Sequence, residues 1–541
     1  MTSWFRWVGS VLTACCSSEI SNSGIISTSE ISNSGVISTS ESLFEDCQEV
    51  ARTLGLQCEH VKFNKSLCKL LATTCSSSLD NFLPVSGPVY EKVVAELRRV
   101  MLCGKTLVDQ CTDENWWRSV IFSSDSASMG KRVLLHLNEF RLYVKILKLV
   151  AESRGAPDGT FIGLVILDSL TPEVNDASQK DIESLRSDLE SYKRTPCPQG
   201  DVTKLAEDVL RKLRATNSDH VYLHSIEYDD VKLEGYLGKG SFASVFNCEF
   251  LGVKAAAKVF RTSSSTTPRS TWVASVQREA ELQARLRHPN VVQFIGYAAS
   301  EKEHIIVSEL MSKNLRNYLD ENILEGQTRP PLSLLLAVDI MLQIGEGMKY
   351  LHQSGMMHRD LKATNILINV VESKELGISP SVRVKLTDFG FSKLKEATNS
   401  TMFTSKETGA TLWRAPEVFK QNTEKYTKAA DVYSYAMVFF EVLTGKMPWC
   451  DAQGNPTILV TSELLPSIHS EKRPTLPPEN YCPAHLSTFI NKCWATRAED
   501  RPMFPEICEF LWQCKGQILT CSYAYPSPQS STPQKCTNDR G

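Results

Sequence analysis

The segment HRDLKATN, residues 358–365, brings a carboxylate, an ammonium group and a carboxamide close together in the chain. Phosphoryl transfer to an alcohol needs a carboxylate that orients the hydroxyl, a cation beside the transferred phosphate and oxygen ligands for a metal. Asp360, Lys362 and Asn365 match these three roles. Asp388, in the DFG sequence that follows, adds a second hard oxygen ligand of the kind that magnesium prefers. Each motif alone could be a chance string in a loop, so the assignment depends on what accompanies it.

A glycine-rich turn in the segment GYLGKGSFASVF precedes these motifs. Glycine at positions 238 and 240 would let backbone amides approach phosphate oxygens without a side chain between them. Val245 could cover a flat base, and Lys258, on the strand-like run GVKAAAKVF, lies within reach of phosphates under the turn. A GxG turn in a hairpin is usually only a turn. Because a strand follows and not a helix, a dinucleotide-binding loop is not indicated.

Taken in order, the glycine loop, the strand lysine, HRDLKATN, DFG and Ala415–Pro416–Glu417 resemble the motifs of the protein kinase family. The resemblance covers residues 230–515. It implies an α+β, two-lobed protein kinase fold, with a small lobe of mostly antiparallel strands and a large helical lobe. It also implies ATP and Mg2+ as cofactors and transfer of the γ-phosphate to hydroxyl groups of protein substrates, in intracellular signalling.

The resemblance assigns roles residue by residue. Glu279 would orient Lys258 from the first helix of the small lobe, although a lone Lys and Glu more often form a surface salt bridge. Lys254 is a rival on the same strand face, but it lies nearer the start of the strand. The implied catalytic residues are Asp360, Lys362, Lys258 and Glu279, and the implied metal ligands are Asn365 and Asp388. The implied nucleotide-binding residues are Leu237, Gly238, Lys239, Gly240, Ser241, Phe242, Ala243, Val245, Ala256, Lys258, Glu309, Met311 and Leu367.

Two features bear on the kind of kinase. The segment IIVSELM resembles the hinge that binds adenine, with Ser308 as a small gatekeeper. Lys362 is typical of serine/threonine kinases, and the strings LWRAPE and KCWATRAEDRP most resemble the tyrosine-kinase-like serine/threonine group common in plants.

A helical segment ahead of the kinase motifs is similar to the arrangement of mixed-lineage-kinase-domain-like proteins. In those proteins a helical bundle acts at membranes and the kinase domain can be catalytically dead. The alternative function is therefore a catalytically weak or dead kinase-like scaffold that controls a membrane- or partner-binding helical domain.

Three positions depart from the family pattern. Ala243 replaces the third glycine of the phosphate loop, which costs little unless the backbone needs a positive φ. The segment VESKELGIS ahead of DFG has the polarity of a surface insertion. Ala410 stands where serine/threonine kinases usually have a threonine, so reduced activity and a changed choice of acceptor hydroxyl both stay open. A further hypothesis is phosphorylation near Thr404–Thr408, with Arg359 binding the added phosphate.

The elements that must position these residues follow from hydrophobic periodicity. Alternating or β-branched residues predict strands at Leu233–Leu237, Ser244–Phe250, Lys254–Phe260 and Ile305–Leu310. The apolar runs Leu332–Met348 and Val432–Leu443 contain polar residues and are predicted to be buried helices, not membrane spans.

Helical spacing predicts an all-α domain at residues 42–215, most clearly in Val89–Val108 and Arg132–Glu152. Asp181–Arg194 is predicted to be a solvated helix and Trp116–Trp117 a pair of core anchors. Residues 1–41 contain an eleven-residue duplication, EISNSGIISTS then EISNSGVISTS, and are predicted to form a disordered arm. Residues 216–229 would be a linker, and residues 516–541 a disordered tail.

The composition limits the classes of partner that are expected. A net charge of −3 among 541 residues carries no nucleic-acid footprint, and the 17 scattered cysteines favour reduced thiols in a cytoplasmic protein. The N-terminal apolar stretch is a poor signal peptide. Acylation of Cys15 and Cys16 is the alternative that would place the N-terminal region at a membrane. The expected partners are ATP and proteins that carry serine or threonine.

Overall fold

The protein is described by a computed structural model. The described residues are 40–79, 87–112, 126–152, 170–194, 210, 225–239, 243–250, 252–261, 269–323, 330–371, 381–388, 412–419, 426–450, 466–468 and 470–520. The duplicated arm up to residue 39, the Trp116–Trp117 pair and the tail after residue 520 lie outside these ranges.

The described residues of the N-terminal part include five long helices. Apolar residues at helical spacing give each of them a buried face, as in the middle helices, where Val93, Leu97, Val133, Leu137 and Phe140 are fully buried. The prediction of a helical region before the kinase motifs is therefore confirmed. The helices are α1 (Ser40–Gln57), α2 (Lys65–Leu79), α3 (Pro88–Thr112), α4 (Ser126–Glu152) and α5 (Thr171–Arg194).

The prediction that the charged segment Asp181–Arg194 is a solvated helix was wrong in one respect, because one face of α5 is buried. The Asp181 carboxylate is 4% exposed and accepts hydrogen bonds from the backbone N–H groups of Ser66, at 2.8 Å, and Leu67, at 2.9 Å. These N–H groups belong to the first turn of α2, which has no helical partners for them, and the helix dipole favours an anion there. Asp181 therefore fastens α5 to α2.

The small lobe contains a five-stranded antiparallel sheet in the order β1-β2-β3-β5-β4. Alternation in the third strand buries Ala255, Ala257 and Val259 on one face and leaves Ala256 and Lys258 on the other. The predicted strands are confirmed. The elements are β1 (Val231–Lys239), β2 (Ser244–Phe250), β3 (Val253–Arg261), α6 (Arg269–Arg285), β4 (Phe294–Ala299) and β5 (Glu303–Glu309).

The large lobe is mainly helical. Its central helix is buried around its whole circumference from Ala430 to Leu443, as expected for an apolar helix inside a domain, and it ends at Gly445 with a left-handed φ of 72°. The elements are β6 (Lys313–Asn314), α7 (Leu315–Glu321), α8 (Leu334–Gln353), β7 (Ile366–Val371), β8 (Ser381–Leu386), α9 (Lys428–Thr444), α10 (Ala484–Cys493) and α11 (Phe504–Thr520). The boundary predicted at residue 515 falls inside α11, which continues to Thr520.

Helix α11 joins the large lobe to the N-terminal helices. The Lys515 ammonium is 1% exposed and lies 2.7 Å from Glu139 on α4 and 2.6 Å from Asp339 on α8. Arg99 on α3 reaches the same Glu139 at 3.0 Å. One buried lysine therefore connects three helices across the domain boundary. Within the described residues, no helix is both long enough and apolar enough to cross a membrane.

Gly347 on α8 marks a tight contact with the segment before β4. A Cβ at this position would lie 2.9 Å from the Asn290 carbonyl oxygen and 2.9 Å from a Leu386 methyl group. We expect Gly347→Ala to lower the free energy of unfolding by roughly 1–3 kcal/mol through overpacking. The control is Gly55→Ala on α1, where a Cβ meets no described atom within 4 Å, and which should gain about 0.5–1 kcal/mol. Equal melting temperatures for the two variants in calorimetry would contradict this view of the contact.

Candidate active site

The structure brings Lys258, Glu279 and Asp388 together from three elements. Lys258 lies on the open face of β3, Glu279 on α6 and Asp388 just after β8. Lys258 Nζ lies 3.1 Å from Glu279 Oε1 and 2.5 Å from Asp388 Oδ1. The rival Lys254 instead pairs with Glu234 at the exposed end of the sheet. Lys258 is therefore the lysine that faces the predicted phosphate loop.

The three charges shift one another's ionisation. Burial alone would lower the pKa of the Lys258 ammonium, but Asp388 and Glu279 outweigh it and hold this pKa above its ordinary value. Burial also dominates at Glu279, which is 1% exposed, and raises its pKa to about 7 against the attraction of Lys258. At Asp388, attraction to Lys258 overcomes burial and lowers the pKa. Lys258 is thus fully charged at neutral pH.

The loop that carries Asp360 is held by internal hydrogen bonds. Lys362 Nζ lies 3.0 Å from Asp360 Oδ2. The Asn365 side-chain amide donates to the Asp360 carbonyl at 2.7 Å and to its carboxylate at 3.0 Å. A short 3-10 turn at Ala363–Asn365 brings these groups onto one side of the loop. The segment HRDLKATN therefore folds its three chemically active side chains together.

Asp431, at the start of α9, anchors this loop from below. Its buried carboxylate accepts the backbone N–H groups of His358 and Arg359, both at 2.9 Å, and contacts His352 Nε2 at 2.8 Å. These hydrogen bonds hold Arg359 at a left-handed φ of 65°, which a non-glycine residue adopts at a cost of about 1–3 kcal/mol. Burial would raise the pKa of Asp431, but its hydrogen-bond donors lower it, so the carboxylate stays ionised.

Tyr426 completes the anchor, although it was not singled out from the sequence. Its hydroxyl donates to Asp431 at 2.7 Å, and its ring lies 5.5 Å from the Arg359 guanidinium. Tyr426 precedes α9 by two residues, whereas Arg359 is far away in the chain. A tyrosine close to the start of an apolar helix was the one available signal.

The described residues of the predicted nucleotide cradle lie on the small-lobe sheet, just after β5 and on β7. Val245 is opposite both Gly238 and Lys258 in the strand register, and Ala256 is opposite Ser308. Leu367 on β7 is half-buried, Met311 is buried, and Leu237 is exposed. Gly240, Ser241, Phe242 and the side chain of Lys239 lie outside the described residues, whereas Ala243 is buried at the start of β2.

Glu309, predicted to bind adenine through its backbone, has a second set of contacts. Its N–H donates to the Gln293 carbonyl at 3.0 Å, so a bond from its backbone to adenine would have to use the carbonyl. Its carboxylate accepts the Gln293 N–H at 2.7 Å and pairs with Lys385 on β8, also at 2.7 Å. The hinge is therefore fixed to β8 through a side chain.

A family model for protein tyrosine and serine/threonine kinases matches residues 231–511, more than half of the chain. The chain belongs to this kinase family. The family and the fold class predicted from the motifs are thereby confirmed.

Relatives match between about half and two thirds of this chain. A light-sensor protein kinase of Ceratodon purpureus is 35% identical over 56% of this chain and 23% of its own length. The serine/threonine-protein kinase VIK of Arabidopsis thaliana is 32% identical over 52% of this chain and 59% of its own length. The serine/threonine-protein kinase STY17, also from Arabidopsis thaliana, is 27% identical over 68% of this chain and 60% of its own length. The chain thus spans less than two thirds of each.

A second ion pair supports the large lobe of the kinase. Arg501 binds Glu417 with two parallel hydrogen bonds, of 2.7 and 2.9 Å, and donates to the Ala429 carbonyl at 3.0 Å. Two parallel hydrogen bonds of this kind fix the guanidinium plane of Arg501 relative to the carboxylate plane of Glu417. This ion pair therefore ties the Ala415–Pro416–Glu417 segment to the residues just before α11.

Other predicted features of the kinase fall outside the described residues. These are Gly390 of DFG, the hydroxyl-rich segment with Thr404–Thr408, the VESKELGIS insertion from residue 372 onward, and Ala410 with its neighbour Thr411.

Proposed function

We propose that this kinase transfers the γ-phosphate of ATP to serine and threonine hydroxyls of protein substrates. The observation that carries the proposal is the position of Lys258, whose ammonium lies between the carboxylates of Glu279 and Asp388. A cation held at both sides by separate elements is positioned before the substrate arrives, which reduces the cost of ordering the phosphates.

The residues fit magnesium. Asp388 and Asn365 would hold it, because both offer hard oxygen atoms. The Asp388 side chain is 41% exposed, so its carboxylate is open to a ligand while it contacts Lys258. Asn365 donates its N–H groups to Asp360, which leaves its amide oxygen for a metal. When bound, magnesium supplies positive charge to the phosphate oxygens.

Asp360 would orient the acceptor hydroxyl. As the new P–O bond forms and the bond to the β-phosphate oxygen breaks, its carboxylate would take the proton of the hydroxyl. Lys362, 3.0 Å away, would balance the negative charge of the transferred phosphoryl group. The anchor at Asp431 keeps both side chains in place without contacting the substrate.

Two observations favour serine and threonine as acceptors. Lys362 occupies the position that is typical of serine/threonine kinases, and VIK and STY17 are named serine/threonine-protein kinases. Ala410 is the feature that opposes this choice.

The test is phosphate transfer from labelled ATP to casein by the full chain, with magnesium and with EDTA, followed by phosphoamino-acid analysis. We expect label on phosphoserine and phosphothreonine with magnesium, and none with EDTA or with Asp388→Asn. Label mainly on phosphotyrosine would contradict the serine/threonine assignment. A silent parent chain whose melting temperature still rises with ATP would instead support the catalytically dead scaffold.

A further inference from the structure

A cavity of about 690 Å³ lies between the N-terminal helices and the kinase domain, apart from the active site. The helices α3 and α4 form one wall. The segment before β4, the hinge residue Glu309, helix α8 and strand β8 form the other. A volume of this size falls within the range of small-molecule sites in proteins.

The cationic side chains of the cavity fall into two classes. Arg99 pairs with Glu96 and Glu139, Lys254 with Glu234, and Lys385 with Glu309, so these three charges are balanced. The other class consists of Arg132 and Arg383, and neither forms an ion pair with any residue that the structure describes. The Glu309 carboxylate, which pairs with Lys385, attracts both guanidinium groups from beyond ion-pair distance, so neither arginine has a carboxylate of its own in the described part of the chain.

Arg132 and Arg383 come from different domains and repel each other. Arg132 lies on α4 and has one neutral contact, to the Gln110 side-chain oxygen at 3.3 Å, whereas Arg383 lies on β8. Burial, followed by repulsion from Arg383, lowers the pKa of Arg132 to about 10. Burial likewise lowers the pKa of Arg383. Both side chains are partly buried, so solvent screens part of their repulsion, and an anion between them would relieve the rest.

The cavity wall also contains buried polar atoms without partners. His136 is 8% exposed, and its Nε2 has no hydrogen-bond partner among the described residues. The same holds, within that part of the chain, for Oδ1 of the buried Asn290. Most buried polar atoms in proteins are paired. His136 Nε2 can donate to an anion oxygen in one of its tautomers, whereas Asn290 Oδ1 only accepts and would need a hydroxyl group of the occupant or a water molecule.

We propose that this cavity binds a small soluble phosphate-bearing anion with at least two negative charges, held between Arg132 and Arg383. A guanidinium group binds phosphate through two parallel hydrogen bonds. In this cavity one guanidinium group, that of Arg132, would come from the helical domain, and the other, that of Arg383, from the kinase domain. The ligand would therefore bridge the helical domain and the kinase domain. It would lie beside Lys385, which pairs with the hinge residue Glu309, so the site contacts the nucleotide cradle through one ion pair.

The proposal is tested by calorimetric titration of the full chain with pyrophosphate. Saturating non-hydrolysable ATP analogue and magnesium occupy the active site beforehand. We expect one pyrophosphate per chain, at least tenfold weaker binding by Arg132→Gln or Arg383→Gln, and unchanged binding by Lys148→Gln, on the exposed side of α4. Inorganic phosphate, with less charge, should bind more weakly.

A second measurement separates binding from folding. Without added anion, the Arg132→Gln/Arg383→Gln double variant should melt at the same or a higher temperature than the parent, because repulsion is removed. It should also lose the rise in melting temperature that pyrophosphate gives the parent. A double variant that binds pyrophosphate like the parent would overturn the proposal, as would a parent that gives no saturable binding. Equal affinity for citrate would overturn the assignment to phosphate.

Discussion

Asp360→Asn is expected to slow phosphate transfer by about 10²–10⁴-fold, the usual contribution of a positioned general base. The amide has nearly the same shape as the carboxylate, but it cannot take the proton of the acceptor hydroxyl. It also loses its charge toward Lys362, 3.0 Å away. The turnover number with casein is the measurement, alongside the KM for ATP. The KM should change little, because Asp360 does not contact Lys258 or the predicted cradle.

The matched control is Asp176→Asn, on the exposed face of α5, where the carboxylate pairs only with Lys180 among the described residues. This variant should retain parental turnover. An Asp360→Asn variant that keeps more than a tenth of the parental rate would show that another group receives the proton. Loss of the ATP-induced rise in melting temperature would show that the change had damaged the fold, and not the chemistry alone.

Lys515→Met is expected to lower the free energy of unfolding by about 3–5 kcal/mol, the cost of leaving a buried charge without its partner. The substitution keeps the length of the side chain but leaves Asp339 without its cation and Glu139 with Arg99 alone. Burial opposes the charge of Lys515, yet the two carboxylates outweigh it and raise its pKa. Urea unfolding of the full chain, followed by circular dichroism, measures the change.

Two further variants test whether the unpaired buried carboxylate causes the loss of stability. Lys180→Met removes one partner of an exposed ion pair and should leave the unfolding midpoint unchanged. Lys515→Met/Asp339→Leu removes both charges of the buried pair and should recover part of the lost stability. A double variant less stable than Lys515→Met would point to packing around α11 as the source of the effect.

The sequence predicted that Asp360, Lys362 and Asn365 lie together, because they belong to one short segment whose own turn brings them together. HRDLKATN folds Asp360, Lys362 and Asn365 onto one side without help from distant residues, apart from the anchor at its base. The strands of the small lobe could also be predicted, because alternation along β3 separates Lys258 from the buried alanines. The family assignment therefore rested on local sequence patterns.

Contacts between distant segments could not be predicted from the sequence. Lys515 and Glu139 are separated by 376 residues, and nothing in the sequence of α11 shows which distant carboxylates its single lysine contacts. Asp181 belongs to a helix so polar that the pattern indicated solvent on all sides, yet it satisfies N–H groups at the start of α2. Arg132 and Arg383 meet only because two domains pack together.

On each side of the boundary between the N-terminal helices and the large lobe, one carboxylate near Lys515 has a cation on its own side. Glu139 would keep Arg99, which lies on the same side of the boundary, and Asp339 would keep Lys515. The contact between Lys515 and Glu139 is the only one of the three that crosses between the domains, in the described part of the chain. Separation of the N-terminal helices from α11 would therefore break this contact and the hydrogen bond from Lys92 to the Ile518 carbonyl, but it would leave each of the two carboxylates with one cation.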